Sequence, residues 1–490
     1  MKKVLLTGAA LMLASGVAST ASAAAVEPGV KITGDARVRL YYADDQFRTY
    51  GTASAQDSQT NMDSRVRVNL TGTAAGGAYA KVRLRIAESN MGDFDTEYSN
   101  GNTFRSNGRS NVVADLAYVG IPFNDQFTLE LGRYRSTYGP QPSSYNFFYD
   151  DVNLTGAKGI IKLDKVEINP FIEWMEEAQN GDDVTSSSLD KLQDNDEIRF
   201  GVHAKAQLNK DWLIGGMIGY QMDNRNERRA GVLTTLPTAT QKGYQDLGWQ
   251  ENEGFFGSLY VNGKSGNFGL IGEIAVTDNS LNNFNSWEED AQGYSSAPGA
   301  TTLAGGVDTI GSKDTGYGGY IFPNYQINKL NIGLNLGFTA NGFQPDGAFG
   351  DGVMLGTIDN SVISAIRIGD YGDWLWGGLV VSYQVKEDLK LTGNFFYADI
   401  DSWGTKGPDG DGPYTTFRSL NPTNRNGYNL DLGLESAWTI SGIMQYTIQK
   451  NLNLFLSAGY LKPEFDNAYN IAGLDDDGIF AAASRLELKF

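Results

Sequence analysis

The chain has 490 residues, a formal net charge of −19, one histidine and no cysteine. The lack of cysteine excludes disulfides, thiolate metal sites, iron–sulfur clusters and covalently attached c-type haem, and a single histidine excludes a multi-histidine metal site. The acidic balance argues against nucleic acid as a partner, because like charges repel.

The N-terminal residues follow the three-part order of a secretory signal peptide. Met1-Lys2-Lys3 is a short positive start, residues 4–19 are an apolar run without an acid, and Ala21-Ser22-Ala23 is a small-x-small cleavage site. The apolar run is too short for a helix that spans a membrane. We therefore predict that residues 1–23 are removed on export. No Pro- or Ser-rich linker divides residues 24–490, so we predict a single domain there.

Apolar and polar residues alternate along the whole mature chain. Segments of about ten residues with one apolar and one polar face have the length of a barrel strand that crosses a membrane. A soluble antiparallel sheet also alternates, but it needs a core against one face. In the first three segments, Ile32, Gly34, Ala36, Val38, Leu40, Tyr42, Val66, Val68, Leu70, Ala80, Val82, Leu84 and Ile86 alternate with Thr33, Asp35, Arg37, Arg39, Tyr41, Arg65, Arg67, Asn69, Thr71, Lys81, Arg83 and Arg85.

The connections alternate in length as regularly as the strands alternate in polarity. Tight turns such as 164–165 and 328–329 alternate along the chain with long, polar connections such as 225–250 and 279–313. Short periplasmic turns and long extracellular loops are typical of outer-membrane barrels. About eight tight turns, with both chain ends on the periplasmic side, predict an all-β antiparallel barrel of about 18 strands, with about 16 as the alternative. Residues 428–448 keep one phase for unusually long, so they form one projecting strand or hide a hairpin.

Aromatic residues cluster near the predicted strand ends. Outer-membrane barrels carry such residues as interfacial girdles, because the rings sit at the depth of the lipid headgroups. The pattern therefore predicts an integral multi-pass barrel in the cell outer membrane, with lipid as its surroundings. The aromatics that support it are Tyr41, Tyr42, Phe147, Phe148, Tyr149, Trp374, Trp376, Phe395, Phe396 and Tyr460.

Two segments resemble a known protein family. The last strand, 484–490, alternates Leu486 and Leu488 with charged residues and ends in an aromatic, and it resembles the assembly signal of outer-membrane barrels. Residues 117–121, a short turn and residues 127–133 resemble the central hairpin of the Gram-negative porins. This resemblance implies a trimeric, water-filled channel. It also implies that the next segment, 136–155, folds into the barrel and narrows it, with its acids facing a ladder of basic residues.

The basic residues of the first strands are the main candidates for the pore lining. An Arg or Lys on the lipid face near the membrane midplane costs about 2–4 kcal/mol, so we expect these side chains to line a wet lumen. The predicted pore-lining residues are Arg37, Arg39, Arg65, Arg67, Lys81, Arg83, Arg85, Glu130, Arg133, Asp150 and Asp151.

Arg133 needs a departure from the pattern to reach the lumen. Strict alternation places it on the face of Leu129 and Leu131, which is the lipid face. A bulge at Gly132 would be needed to turn its side chain inward.

The function that this sequence favours is passive diffusion of ions and small polar solutes through an open pore. Three alternatives remain: a substrate-specific channel with an aromatic track, a barrel that sheathes a separate partner such as an outer-membrane cytochrome, and a surface barrel with a plugged lumen. The ion selectivity stays open, because the chain offers both basic and acidic groups to the lumen.

We expect neither an enzyme nor a bound cofactor. His203 alternates with Arg199 and Lys205, so we interpret it as a solvated lumen residue, and no partner acid or nucleophile is placed beside it by the sequence. Clustered carboxylates in two predicted outer loops are weak candidates for a Ca²⁺ site, because they lack the spacing of a recognised calcium loop. These candidates are Asp409, Asp411, Asp475 and Asp477.

Overall fold

The computed structural model describes most of the strands and the connections at one end of them. The described residues are 28–43, 59–90, 112–136, 138–148, 152–177, 196–223, 254–278, 315–341, 372–402, 434–465 and 478–490, with 343, 345, 349, 368 and 369. The predicted signal peptide and the predicted calcium candidates lie outside them. In this part of the chain no helix is long and apolar enough to cross a membrane.

Eighteen antiparallel strands form one sheet. They are β1 Gly29–Ala43, β2 Gln59–Thr73, β3 Tyr79–Asn90, β4 Val112–Pro122, β5 Phe127–Ser136, β6 Val152–Leu163, β7 Val166–Glu177, β8 Asp196–Gln207, β9 Trp212–Asp223, β10 Gly254–Ser265, β11 Phe268–Thr277, β12 Gly316–Ile327, β13 Leu330–Ala340, β14 Gly372–Lys386, β15 Leu389–Ser402, β16 Leu434–Gln449, β17 Leu452–Phe465 and β18 Ile479–Lys489. A short 3₁₀ turn, Ser143–Tyr145, lies between β5 and β6.

The sheet closes on itself. Each strand pairs with its sequence neighbours, and β1 pairs with both β2 and β18. Gly34 and Phe490 exchange backbone hydrogen bonds of 2.7 and 2.9 Å across the closing seam. The prediction of 18 strands is confirmed, and the alternative of about 16 is wrong. The long segment 428–448, for which one projecting strand or a hidden hairpin was open, is one strand, β16, over its described residues.

Short connections join the strands at one end of the barrel. Asp164, Asn328 and Asn451 take positive φ angles of 37°, 53° and 68° in two-residue turns. Asp and Asn tolerate this left-handed conformation better than other side chains that carry a Cβ. The predicted tight turns at these places are therefore present, and they fix the register of the hairpins they join.

The two faces of the wall differ as in a membrane barrel. Ile32, Ile218 and Leu259 on the outer face are 62–64% exposed, whereas Arg39 and Glu173 on the inner face are buried. An apolar belt outside and polar groups inside is the arrangement that lipid requires. The protein is accordingly an integral β-barrel of the outer-membrane type.

The aromatic residues of the sequence prediction divide between the two faces. Phe395 and Tyr460 face outward with the apolar belt, as predicted. Trp374, Trp376 and Phe396 face inward and are at most 3% exposed, so their assignment to the girdle is wrong. The reason is that the inner faces of β14 and β15 are themselves aromatic, a pattern that looks like a girdle when the inner and outer rows are read together.

The wall is least continuous between β4 and β5. Their pairing comprises six residue pairs, from Ala117 opposite Arg133 to Pro122 opposite Thr128. Above that point β4 continues upward in pairing with β3, while β5 continues in pairing with β6. The register between β3 and β4 shifts at Arg83 and Leu84, which makes Asp115 a bulged residue.

Candidate functional site

A basic surface covers the inner face of β1, β2 and β3. Arg37 lies opposite Arg65, and Arg67 lies opposite both Asp35 and Arg85. The structure brings the seven basic residues predicted for the lumen onto this one face, which we call the basic wall: Arg37, Arg39, Arg65, Arg67, Lys81, Arg83 and Arg85.

Two arginines of the basic wall form ion pairs with aspartates. Arg67 Nε lies 2.9 Å from an oxygen of Asp35, and Arg83 Nε lies 2.7 Å from Oδ1 of Asp115. The bulge of β4 is what turns the Asp115 side chain toward Arg83. Paired charges of this kind hold the long arginine side chains in fixed positions along the wall.

Glu130 extends this network to β5 and β6. Its carboxylate lies 2.8 Å from Lys158 Nζ and accepts a 2.6 Å hydrogen bond from the hydroxyl of Tyr79. The structure therefore brings the predicted residue Glu130 next to the basic wall. Lys158 also lies 4.6 Å from the ring centre of Tyr134, a cation–π distance.

A pocket of about 330 Å³ lies between these groups. Lys81 lines it, and no hydrogen bond or ion pair joins the Lys81 ammonium to another described residue. The other charged residues of the lining are Arg67, Arg83, Arg135, Lys158, Asp35 and Glu130. Cations thus outnumber carboxylates around this space.

Sequence reasoning missed Arg135, Lys158 and Asp115. Lys158 stands on β6, whose two faces are both largely apolar, so alternation gave no signal for it. Asp115 lies in a bulge, which the pattern does not mark. Arg135 lies beyond the last pair between β4 and β5, where β5 separates from β4 while it still pairs with β6, and this lets a residue of the outward phase reach the pocket.

Arg133 does not join the pocket, contrary to the prediction. Gly132 has a φ of +120°, but the register runs without a shift from β5 to both neighbouring strands, so no bulge turns the next residue. Arg133 therefore shares the outer face with Leu131 and Ala117 and is exposed. Its Nε donates a 3.2 Å hydrogen bond to the backbone oxygen of Asp115.

The segment 138–148 lies inside the barrel. Tyr138 stacks on His203 of β8 with ring centres 5.0 Å apart, and Phe148 meets Phe256 of β10. The backbone N–H of Phe147 donates a 3.0 Å hydrogen bond to Oε2 of Glu273 on β11. The segment thus packs against β8, β10 and β11. The predicted acids Asp150 and Asp151 lie outside the described residues.

Aromatic side chains bind this segment to the strands opposite the basic wall. Tyr145 and Phe147 contact Tyr320 on β12, and both rings are nearly fully buried. In an 18-stranded barrel, strands nine places apart face each other, so β12 lies opposite β3. We call this group the aromatic cluster; it comprises Tyr145, Phe147, Tyr320, Phe322, Phe343, Phe349 and Trp376.

Two solved structures resemble the whole barrel. OccAB1 of Acinetobacter baumannii matches with a TM-score of 0.53 at 12% identity, covering 96% of this chain and 99% of that one. OccK8 (OprE) of Pseudomonas aeruginosa matches with a TM-score of 0.50 at 12% identity, covering 94% and 98%. Both are outer-membrane porins. This chain has the porin fold. No family model and no curated protein sequence matches it.

His203 is a packed residue of this porin barrel. Its Nδ1 lies 3.2 Å from the amide nitrogen of Asn169, and its Nε2 lies 2.9 Å from the hydroxyl of Tyr260. Only 2% of its surface is exposed. The interpretation of His203 as solvated is therefore wrong, because Tyr138 of the inner segment covers it.

A metal site finds no support within the described ranges. There, no group of three or more His, Asp or Glu side chains could hold a metal ion. The four aspartates proposed for Ca²⁺ lie outside these ranges and stay a prediction.

Proposed function

We propose that this porin barrel is a water-filled channel for the passive diffusion of ions and small polar solutes. The observation that carries the proposal is the basic wall, whose charged side chains need water or a polar solute inside the barrel. Solutes would pass between the basic wall and the inner segment 138–148 on the opposite strands. In this arrangement, charged side chains line one side of the narrowest part of the passage. The packed inner segment forms a rigid boundary on the other side. We assign no catalytic role to any residue.

We further propose that the channel prefers anions. Around the pocket, Arg67, Lys81, Arg83, Arg135 and Lys158 outweigh Asp35 and Glu130. Rings or walls of fixed cations favour anions in a pore, because the low-dielectric wall strengthens their field. Lys81 contributes most directly, since no carboxylate among the described residues neutralises it.

The test is single-channel current from the purified mature protein in a planar bilayer with a salt gradient. Stable current steps, with a reversal potential of the sign for anions, are expected. A reversal potential of the opposite sign would reject the anion preference and leave the channel intact. No steps from a folded, heat-modifiable barrel would reject the channel itself.

A channel with a binding site for one solute is the second candidate. The pocket favours it, because a space of about 330 Å³ with donors and acceptors on its walls suits a small polar molecule. The aromatic track expected for such a channel gains no support from the aromatic cluster, whose rings are buried against one another. Saturation of the current with increasing solute concentration would favour this candidate over free diffusion.

The barrel that sheathes a separate partner is a weaker alternative. The packing of residues 138–148 inside the barrel speaks against a partner protein threaded through it. Co-purification of a haem protein would revive that alternative. The porin resemblance also supports a homo-oligomer, and we propose a trimer, which the mass of the assembly in mild detergent would test.

A further inference from the structure

The single histidine of the chain lies beneath the inner segment 138–148. The ring of Tyr138 stacks on His203 with ring centres 5.0 Å apart, and it stacks on Phe171 with ring centres 4.9 Å apart. His203 is 2% exposed and Tyr138 is 4% exposed. Because Tyr138 is the side chain that covers the imidazole, hydration of His203 requires that Tyr138 moves away.

Two hydrogen bonds define the position of the proton on His203. Asn169 Nδ2 lies 3.2 Å from its Nδ1, and the hydroxyl of Tyr260 lies 2.9 Å from its Nε2. The same Asn169 nitrogen donates a 3.1 Å hydrogen bond to the carboxylate of Glu167, which can only accept. This bond orients the amide, so Asn169 donates to Nδ1 and the ring proton is on Nε2. The packed arrangement therefore holds a neutral imidazole.

A glycine makes room for the hydrogen bond to Nε2. Gly215 lies on β9, the strand between β8 and β10, and pairs with Tyr260. A Cβ at this position would collide with the ring of Tyr260, which crosses β9 to reach His203. The rings of Tyr260 and His203 are almost parallel, with an angle of 3° between them. The sequence thus places the hydroxyl of Tyr260 firmly at Nε2.

The charged groups around His203 do not favour a second proton on its ring. The Glu167 carboxylate lies 2.8 Å from Lys205 Nζ, so its charge is already balanced. Lys158 adds a further positive charge, and β9 presents the uncharged Met217. The described titratable groups near the ring are Lys158 of β6, Glu167 of β7, Lys205 of β8, Tyr260 of β10, Glu273 of β11 beyond Tyr260, and Tyr138 of the inner segment.

Protonation of His203 is incompatible with this packing. An imidazolium has two N–H donors, so its Nδ1–H would point at the donor nitrogen of Asn169. A rotated Asn169 amide would supply an acceptor, but its oxygen would then face the carboxylate of Glu167. Stacking of the charged ring on Tyr138 offsets part of this cost, whereas the loss of hydration on burial is the larger effect. The charged ring is therefore more stable in contact with water, with Tyr138 displaced.

Movement of Tyr138 would extend to the other end of the inner segment. The buried Asn146 side chain donates a 2.5 Å hydrogen bond to the backbone oxygen of Tyr138. It also accepts a 3.0 Å hydrogen bond from the backbone N–H of Phe148. One side chain thus joins the two ends of the segment, so displacement of the first end disturbs the contacts of the second.

We propose that His203 is an acid-sensitive switch of the channel. A proton from the water of the lumen binds the lone pair of Nδ1, and the charged ring displaces Tyr138 and loosens segment 138–148. The proposal rests on the channel of the proposed function and adds its regulation. Because one proton is taken up, the ratio of loosened to packed segments should rise up to about tenfold for each unit by which the pH falls.

The first test uses the single histidine and the absence of cysteine, which allow two signals to be read from one protein. Isotopic labelling of histidine in the untagged barrel reports the protons of His203 by NMR. A nitroxide on Gln141→Cys reports the motion of the segment. At neutral pH we expect an Nε2–H ring and a slow nitroxide, and on acidification proton uptake and faster motion with the same midpoint.

Three results of this test would overturn the proposal. They are an Nδ1–H ring at neutral pH, proton uptake without a change in nitroxide motion, and no proton uptake before the barrel unfolds.

A matched pair of variants separates His203 from the nearby carboxylate. In His203→Gln the new amide offers an oxygen to Asn169 and an N–H to Tyr260 and does not titrate. We expect this variant to keep the neutral-pH current and to lose the increase of current fluctuations in acid. Glu167→Gln removes a titrating carboxylate but keeps an acceptor for Asn169, so it should retain that increase. Persistence of the increase in His203→Gln, or its loss in Glu167→Gln, would reject the assignment to His203.

The outcomes for the switch are distinct from those for the channel. The NMR and nitroxide signals need no current, so they test the switch even in a barrel that conducts nothing. Stable current steps whose fluctuations do not increase in acid would leave the channel intact and reject its regulation by His203.

Discussion

The two opposite walls of the barrel differ in the side chains that they present to the interior. The basic wall on β1 to β3 has charged inner side chains, which cannot pack against apolar groups and therefore keep a polar space in front of them. The inner faces of β12 and β13 have Tyr320, Phe322 and amide side chains and no charged residue. There, an inner segment covers the wall and forms a packed core. The basic wall thus faces an open, polar space, whereas the wall of β12 and β13 is covered by packed residues.

Removing a ring from the aromatic cluster should have the largest effect. Phe147→Ala deletes a side chain that is 1% exposed and touches Tyr320, Phe343 and Phe349. Such a deletion costs about 3–5 kcal/mol of packing, which here holds segment 138–148 to the wall. We expect larger and noisier single-channel currents. Phe395→Ala on the outer face is the control, and an unchanged, quiet current from Phe147→Ala would contradict the role of the cluster.

Removal of the Glu273 carboxylate, which accepts a hydrogen bond from the same segment, should have a smaller effect. This effect should depend on whether the new side chain can still accept the bond. Glu273→Leu removes the acceptor of the Phe147 N–H and leaves that donor buried, at a cost of about 1–3 kcal/mol. Glu273→Gln keeps an oxygen at the same place. We therefore expect frequent current fluctuations from Glu273→Leu and near-normal records from Glu273→Gln. Equal behaviour of the two variants would show that the hydrogen bond does not hold the segment.

A charge change on the basic wall should alter selectivity and leave conductance noise alone. Lys81→Glu replaces a cation that has no partner among the described residues with an anion. A unit charge acts on a passing ion with about 1 kcal/mol at about 4 Å in water, so the anion-to-cation permeability ratio should fall at least about fivefold. The reversal potential in a salt gradient measures it. An unchanged potential would place the selective region elsewhere.

Arg133→Gln should have the smallest effect on current. Arg133 faces outward, so its charge is separated from the passage by the wall. We expect the reversal potential to match that of the unchanged protein, in contrast to Lys81→Glu. A shift comparable to that of Lys81→Glu would mean that Arg133 reaches the lumen after all.

The sequence predicted the features that repeat and missed those that depend on one break in the repeat. The alternation and the tight turns were enough to predict 18 strands and the inward face of the basic residues. The bulge at Asp115 and the separation of β5 from β4 are single departures, so Arg135 entered the site without any sign in the pattern. Arg133 was predicted for the pore from the porin resemblance, although strict alternation already placed it on the outer face. Phe147 and Trp376 of the aromatic cluster were predicted to be girdle residues, because clustering of aromatics near strand ends does not show whether a ring faces the lipid or the interior.

The pairing of β1 with β18 has a consequence for how the molecule forms. Gly34 and Phe490 are joined directly by backbone hydrogen bonds, although nearly the whole sequence lies between them. Contacts between such distant residues are slow to form, because the intervening chain must first be ordered. Until they meet, the growing sheet keeps two free edges that can pair with any other strand. We therefore expect that assembly of this barrel requires an assisting surface that shields both edges. This requirement ends when β18, the last strand to be synthesised, pairs with β1.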